Sequence, residues 1–369
     1  MVHVRPSHVR HPIRWSLCDR RTSVPWGAEG SAQPGLVRVD KNLPMEIADF
    51  LAPRIHIVCG KGGVGKTTVS AALALVAARA GYKVCVAEID HKGSLPRLFG
   101  ASEPSYEPSE LSPGVWALNV MAEDALAEYL EVQYHMKRVS KVLTSTHFTD
   151  YITTAAPGLK DILVLGKIWY LEQNRAPGGR RYDFDTIIVD APAAGHMITF
   201  LAAPMGLADA VQVGPVKRQA DWLIEMLTNP ARSIAHLVTL PEEMPVAETL
   251  ETSQKLDDEL GVSQGVTFAN GVYQDSLSDE HLALLTKPSS LQSCADSVGL
   301  RLDKEDFDAL NGYASFLEAR SAIQAKHLRV LAKSATRPIV RLPHLFGSGL
   351  TLPDIETLAD EIEGKLQEL

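Results

Sequence analysis

A chain of 369 residues, 45% hydrophobic and 22% charged, has the composition of a folded globular protein, with room for one elaborated α/β domain or two ordinary domains. Its formal net charge of -9 argues against diffuse attraction to nucleic acid or to an anionic membrane face. Its four cysteines, Cys18, Cys59, Cys85 and Cys294, form no C-x-x-C pair, which argues against a cysteine-held zinc or cluster and points to a reducing, cytoplasmic compartment.

Residues 1–44 carry Arg5, Arg10, Arg14, Arg20, Arg21 and Arg38 with several prolines and no apolar h-region, so they read as a flexible arm rather than a signal peptide. An arginine-rich organelle leader and a true start at Met45 are the alternatives. The remainder, 45–369, reads as one domain in which strands and helices alternate from residue 54. Strand-like runs cover 54–59, 83–89, 115–121, 186–190, 210–213, 235–240, 266–269 and 339–342. Several are apolar nearly throughout, as when helices cover both faces of a sheet. The predicted fold class is therefore α/β, a doubly wound and mostly parallel sheet. The longest apolar stretch, 69–78, falls far short of the ~20 residues of a membrane span, so no direct membrane insertion is expected. Helical elaborations are predicted over about 124–173, broken at Ala156-Pro157-Gly158, and about 277–333, ending in a helix over 307–332. Function particular to this chain is expected there, because the sheet is generic.

The run Gly60-Lys61-Gly62-Gly63-Val64-Gly65-Lys66-Thr67-Thr68 satisfies G-x-x-x-x-G-K-[ST] between a predicted strand and a predicted helix. Glycines let such a loop turn its N–H groups around phosphate oxygens, and the helix adds its positive end. Lys66 is expected to reach the β- and γ-phosphates and the Thr67 hydroxyl to ligate Mg2+, which makes ATP and Mg2+ the expected ligands. Lys61 is a second lysine in the loop; it either neutralises charge developing on the γ-phosphate or is a solvated surface residue. Asp90 and Asp190 end two predicted strands at the carboxyl edge of the sheet. Beside the loop, one acid can hold the metal through water while the other orients the attacking water. Alone, each would read as a strand-end cap.

With its extra lysine, the run from Lys61 to Thr68 resembles the deviant Walker A motif of the SIMIBI class of P-loop ATPases. Asp190-Ala191-Pro192-Ala193-Ala194-Gly195-His196 resembles switch II of the arsenite-pump and tail-anchored-protein-targeting ATPases. The likeness spans roughly 54–369 and is nearest to the actinobacterial branch called anion-transporting ATPases. It implies that Asp190, Pro192, Gly195 and His196 relay the state of the γ-phosphate to the helical part. It also implies a nucleotide-dependent dimer, with itself or with a paralogous ATPase, in which Lys61 reaches the partner's phosphates. By the same likeness Asp90 is the base for water attack, Asn270 binds adenine and Pro343 lies near the base. Pro157-Gly158 looks like the family's P-G element, with Asp161 where glutamate is usual, and Arg320, Gln324 and Leu328 fit its closing segment. Asp90-His91-Lys92-Gly93-Ser94-Leu95 departs from the family's D-P-A-H-N-L by losing the histidine position, which implies slow or partner-dependent hydrolysis. Lys92 is either a phosphate contact or a solvated loop residue.

The cluster cysteines of iron-protein reductases, the dimer-bridging zinc pair of the eukaryotic targeting factor and the arsenite-binding cysteines of the pump have no counterparts in this chain. The acid-rich end, 354–369, does not suit the basic membrane helix of septum-positioning relatives. Three roles stay open. The first is a targeting factor that presents a groove to a hydrophobic client, with Leu126, Leu130, Met136, Val139, Val142, Leu143 and Ile152 as either groove or packing core. The second is the energising subunit of an anion transporter, and the third a regulatory or assembly ATPase.

Overall fold

Strands buried at every position need cover on both faces, and β1 (Ile55–Gly60) and β2 (Val84–Ile89) are buried throughout. The computed structural model describes residues 46–89, 93–101, 105–134, 158–176, 179, 181–273, 280, 284–285, 287–347 and 349–369. Residues 1–44, Asp90, His91, Lys92, Pro157 and the stretch from Met136 to Ile152 lie outside the described residues.

The remaining strands are β3 (Ser109–Ser112), β4 (Val115–Val120), β5 (Thr186–Ala193), β6 (Ser233–Thr239), β7 (Gln264–Val272) and β8 (Ile339–Pro343). They form one sheet in the order β3-β4-β2-β5-β1-β6-β7-β8, parallel at every pair except β3 with β4. The described helices, in chain order, are α1 (Ile47–Phe50), α2 (Lys66–Arg79), α3 (Ser94–Leu98), α4 (Ala122–Tyr134), α5 (Leu159–Gln173), α6 (Ala194–Ala210), α7 (Pro215–Thr228), α8 (Glu243–Lys255), α9 (Pro288–Ser297), α10 (Lys304–Ser334) and α11 (Leu352–Gln367). This is the doubly wound α/β fold expected from the alternating pattern.

Side chains alternate along each strand, so the sheet feeds two cores. Val58 and Val86 join α2 and α11 on one face, while Ile57, Cys59 and Ala87 join α5, α6 and α7 on the other. Helix α2 is buried almost all round, at Val69 through Ala77, because α11 covers its outer side. The acid-rich C-terminal segment is amphipathic. Ile355, Leu358, Ala359, Ile362 and Leu366 face the core, a Thr351/Asp354 capping box starts the helix, and Asp360 reaches Arg79 of α2 at 2.6 Å. No helix among the described residues is long and apolar enough to cross a membrane.

Two local expectations differ. Residues 210–213 are not a strand. Ala210 ends α6, Val211 is extended, and Val213 is 82% exposed with Gly214 and Pro215 opening α7 directly after it. Ala-Val-Gln-Val imitates strand alternation, but Ala210 belongs to α6 and no strand among the described residues pairs with the rest. The edge strand β3 was not anticipated, because Ser-Glu-Leu-Ser lacks an apolar run; it pairs antiparallel with β4 across a turn containing Gly114 (φ 80°).

One feature of the sheet interior is chemically unusual. His56 of β1 and His236 of β6 are fully buried neighbours with stacked rings, and Phe50 of α1 packs over both. His236 Nδ1 accepts the Val266 N–H at 3.3 Å, so the proton of neutral His236 sits on Nε2, which donates to His56 Nδ1 at 3.0 Å. His56 Nε2–H is then left facing the Pro53 carbonyl without a well-formed hydrogen bond. Any added proton would set donor against donor. Desolvation lowers the His56 pKa to about 4, and desolvation together with His56 lowers that of His236 well below its ordinary value.

For a base whose folded pKa is depressed, the unfolded chain binds more protons, so the stabilisation is full above pH 6.5 and is lost as pH falls toward the folded pKa. Denaturant unfolding should therefore show stability falling as pH drops below 6.5, with a slope that approaches roughly 1.4 kcal/mol per pH unit for each histidine near pH 5. A flat profile across that window would contradict the neutral pair.

Candidate nucleotide-binding site

Strand β1 ends at Gly60, where both the backbone (φ +155°) and the space exclude a side chain. A β-carbon there would stand 2.2 Å from the Val238 carbonyl oxygen of β6. Gly65 caps α2 with φ +92°, and its β-carbon would stand 2.2 Å from Asn270 Nδ2 at the end of β7. Between them Gly63 turns the chain with φ +84°, and Val64 tucks its side chain into the core beneath the loop. Asn270 Nδ2 donates to the Val64 carbonyl at 2.9 Å, so the loop is tied to the sheet from a strand far along the chain.

The first turn of α2 brings the charged groups together. Lys66 is buried, and its Nζ donates to the Lys61 carbonyl at 3.2 Å. Desolvation lowers its pKa, opposed by Asp190, Cys59 and Glu248. Thr67 Oγ1 donates to Asp190 Oδ2 at 2.6 Å, and Asp190 is fully buried in β5. Among the described residues no three His, Cys, Asp or Glu side chains converge as a ready-made metal cage. One hydroxyl beside one carboxylate is instead the sparse, all-oxygen donor set of Mg2+, which draws its other ligands from phosphates and water. These residues fit that ion. Thr68 is half-buried behind Thr67.

Lys61 lies at the outer side of the loop, where Nζ meets Glu248 Oε2 of α8 at 3.1 Å and both side chains remain about one-third exposed. Asp190 was expected to end its strand, but β5 continues to Ala193, opposite Gly60, and α6 starts immediately at Ala194. Pro192 therefore lies within the strand extension, half-buried. Gly195 and His196 lie exposed in the first turn of α6. A β-carbon at Gly62 would just touch that of Ala193, at 4.0 Å, so loop and strand end are in contact.

Glu88 was missed by sequence reasoning. It is fully buried in β2, in register with Asp190, and its Oε1 accepts the Ser94 and Leu95 N–H groups at 3.0 and 3.3 Å. The carboxylate thereby anchors α3, the helix that follows Asp90. A lone glutamate inside an otherwise apolar strand was the available signal. At the opposite edge Pro343 ends β8 beside Val272. There Tyr273 and His344 rings lie 4.6 Å apart and His344 stacks on Phe346 at 4.7 Å, a set that sequence reasoning also missed. Gln324 holds this corner, accepting the Tyr273 N–H at 2.7 Å and donating to the Gly271 carbonyl at 2.8 Å. Arg320 meets Glu242 at 3.2 Å, and Leu328 is buried against Leu331 and Val246.

Comparison with known proteins adds independent findings. The family model described as "Anion-transporting ATPase" matches residues 53–219. The ATPase BagA of Mycobacterium tuberculosis is 33% identical over 273 residues, covering 70% of this chain and 77% of the relative. A Halobacterium salinarum protein named "Putative arsenical pump-driving ATPase" is 25% identical over 256 residues, covering 63% of this chain and 38% of that protein. Protein Rv2184c of Mycobacterium tuberculosis is 26% identical over 238 residues, covering 54% of each. With its loop, buried aspartate and sheet order in place, this chain belongs to the anion-transporting ATPase family.

Proposed function

We propose that this chain binds ATP with Mg2+ at the loop from Gly60 to Thr68 and uses hydrolysis to drive a conformational switch between paired subunits. The observation that carries this reading is the Thr67–Asp190 contact at 2.6 Å beside a buried Lys66, three groups from the start of α2 and from β5 converging on one glycine loop. Loop amides and Lys66 hold the polyphosphate, Thr67 and Asp190 hold the metal, and the bound ion supplies neutralisation of phosphate charge. Asp90 is the proposed base, with Glu88 fixing the start of the helix beyond it. Asn270 and Pro343 flank the position proposed for adenine, next to the Tyr273, His344 and Phe346 rings. Because β5 runs from Asp190 into α6 without a linker, a shift at the phosphate end would pass directly to the helices packed on α6, which among the described residues include α5, α7 and α8.

Lys61 would reach the phosphates of a partner subunit, exchanging Glu248 for them. A pump for arsenicals, the role in the name of one relative, is poorly supported by this chain's chemistry. Burial pushes the Cys59 and Cys85 thiols up, away from the thiolate form that binds metalloids, and Cys294 is exposed on α9. A regulatory, assembly or client-targeting ATPase fits better.

Lys66→Ala should abolish ATP binding in calorimetry, and unchanged affinity would contradict the site. Asp90→Asn should bind ATP normally while turning over roughly 10² to 10⁴ times more slowly; normal turnover would move the base elsewhere. Lys61→Ala should impair ATP-dependent pairing more than binding to one subunit, as read by sedimentation with and without nucleotide. Equal loss of both would undo the cross-subunit role.

A further inference from the structure

Helix α10 is 31 residues, about 46 Å, long and among the described residues buries one face on the domain, through Ala314, Leu317, Gln324, Leu328 and Leu331, while Phe316 meets the Tyr273 ring edge-on at 6.2 Å. An adjoining face repeats at alternating three- and four-residue intervals: Ala309, Gly312, Phe316, Ala319, Ile323 and, one heptad on, Val330. All six are exposed, with Phe316 at 49%, Ile323 at 48% and Val330 at 46%. From Gly312 to Ile323 small and bulky residues alternate along this stripe, and Lys326 takes the position before Val330. Gly312 is the telling member, because glycine is the poorest helix former after proline. A β-carbon at that position would meet nothing within 4 Å, so nothing in the described chain requires its absence.

The charges are equally asymmetric. The first half of α10 carries Glu305, Asp306, Asp308 and Glu318 against Lys304, and the second half carries Arg320, Lys326, Arg329 and Lys333. The helix dipole accounts for the terminal turns alone, since its effect fades within one turn. Asp308, Arg320, Lys326 and Arg329 lie further in.

We propose that this stripe is a self-complementary docking surface on which α10 of a second copy of the chain pairs antiparallel. A twofold axis passing beside Leu317 and Glu318 sets Phe316 over the second copy's Ala319 and Ile323 into the gap at its Gly312. Asp308 then runs alongside the second copy's Arg329, twice per pair, as an isologous contact demands. A parallel pair would instead stack Phe316 on Phe316 and acid on acid. This association needs no nucleotide and is separate from the ATP-driven pairing proposed above.

Sedimentation equilibrium of the nucleotide-free full chain tests it. The expected result is a reversible dimer, weakened about tenfold or more by Phe316→Asp and by Gly312→Leu, the latter with no loss of thermal stability. Asp308→Arg and Arg329→Asp should each weaken it, and the double variant should regain the original affinity. Both sites are exposed, so these variants keep the test valid even if Phe316→Asp folds poorly. A monomer at every concentration overturns the proposal, as it would if another segment or protein covered the stripe. So does a double variant no tighter than the single ones, or a dimer that appears with ATP alone and vanishes in Lys61→Ala.

Discussion

The loop between β1 and α2 passes so close to the ends of β6 and β7 that a β-carbon at Gly60 or Gly65 would lie 2.2 Å from the Val238 carbonyl or the Asn270 amide. That crowding fixes where the loop's N–H groups can point, and every other part of the site is arranged around it. Parallel strand order brings β5 to one side of β1 and β6 to the other, so Asp190 meets Thr67 without any loop spanning a distance. Asn270, two strands away, clamps Val64. The site is thus a product of sheet order more than of any local segment.

Coupling between phosphate and helices follows from the same geometry. Asp190 and the first turn of α6 are separated by three residues of continuous strand, and α6 packs between strands, α5 and α7. On the other side Glu88 ties α3 to the sheet, in register with Asp190. Neighbouring acids on the adjacent strands β2 and β5 therefore tie the starts of α3 and α2 to the sheet. The buried neutral histidine pair lies beneath this machinery, on the strands β1 and β6 that carry the loop and its nearest wall, so acid conditions act on the platform itself.

Much of this was legible in residues alone, for identifiable reasons. Apolar strands and the glycine loop are local patterns, and they located β1, β2, β5 and the start of α2 within a residue or so at their beginnings. Residues 210–213 mislead because local alternation looks like a strand whether or not a neighbouring strand is there to pair with it. Glu88, Glu248 and the Tyr273, His344 and Phe346 cluster escaped because their significance comes from contacts across the fold, which no spacing announces. Asn270 is assigned to adenine by resemblance alone, and its amide also holds the loop carbonyl, a role that depends on the 2.9 Å meeting of β7 and the loop.

A structure of the chain crystallised with Mg2+ and a non-hydrolysable ATP analogue tests the central claim most directly. The account predicts the triphosphate cradled by the amides from Gly62 to Thr68, with Lys66 turned from the Lys61 carbonyl to the phosphates and the metal on Thr67 with Asp190 behind it. Analogue bound elsewhere, or a loop that keeps Thr67 on Asp190 and excludes phosphate at saturating ligand, would contradict it.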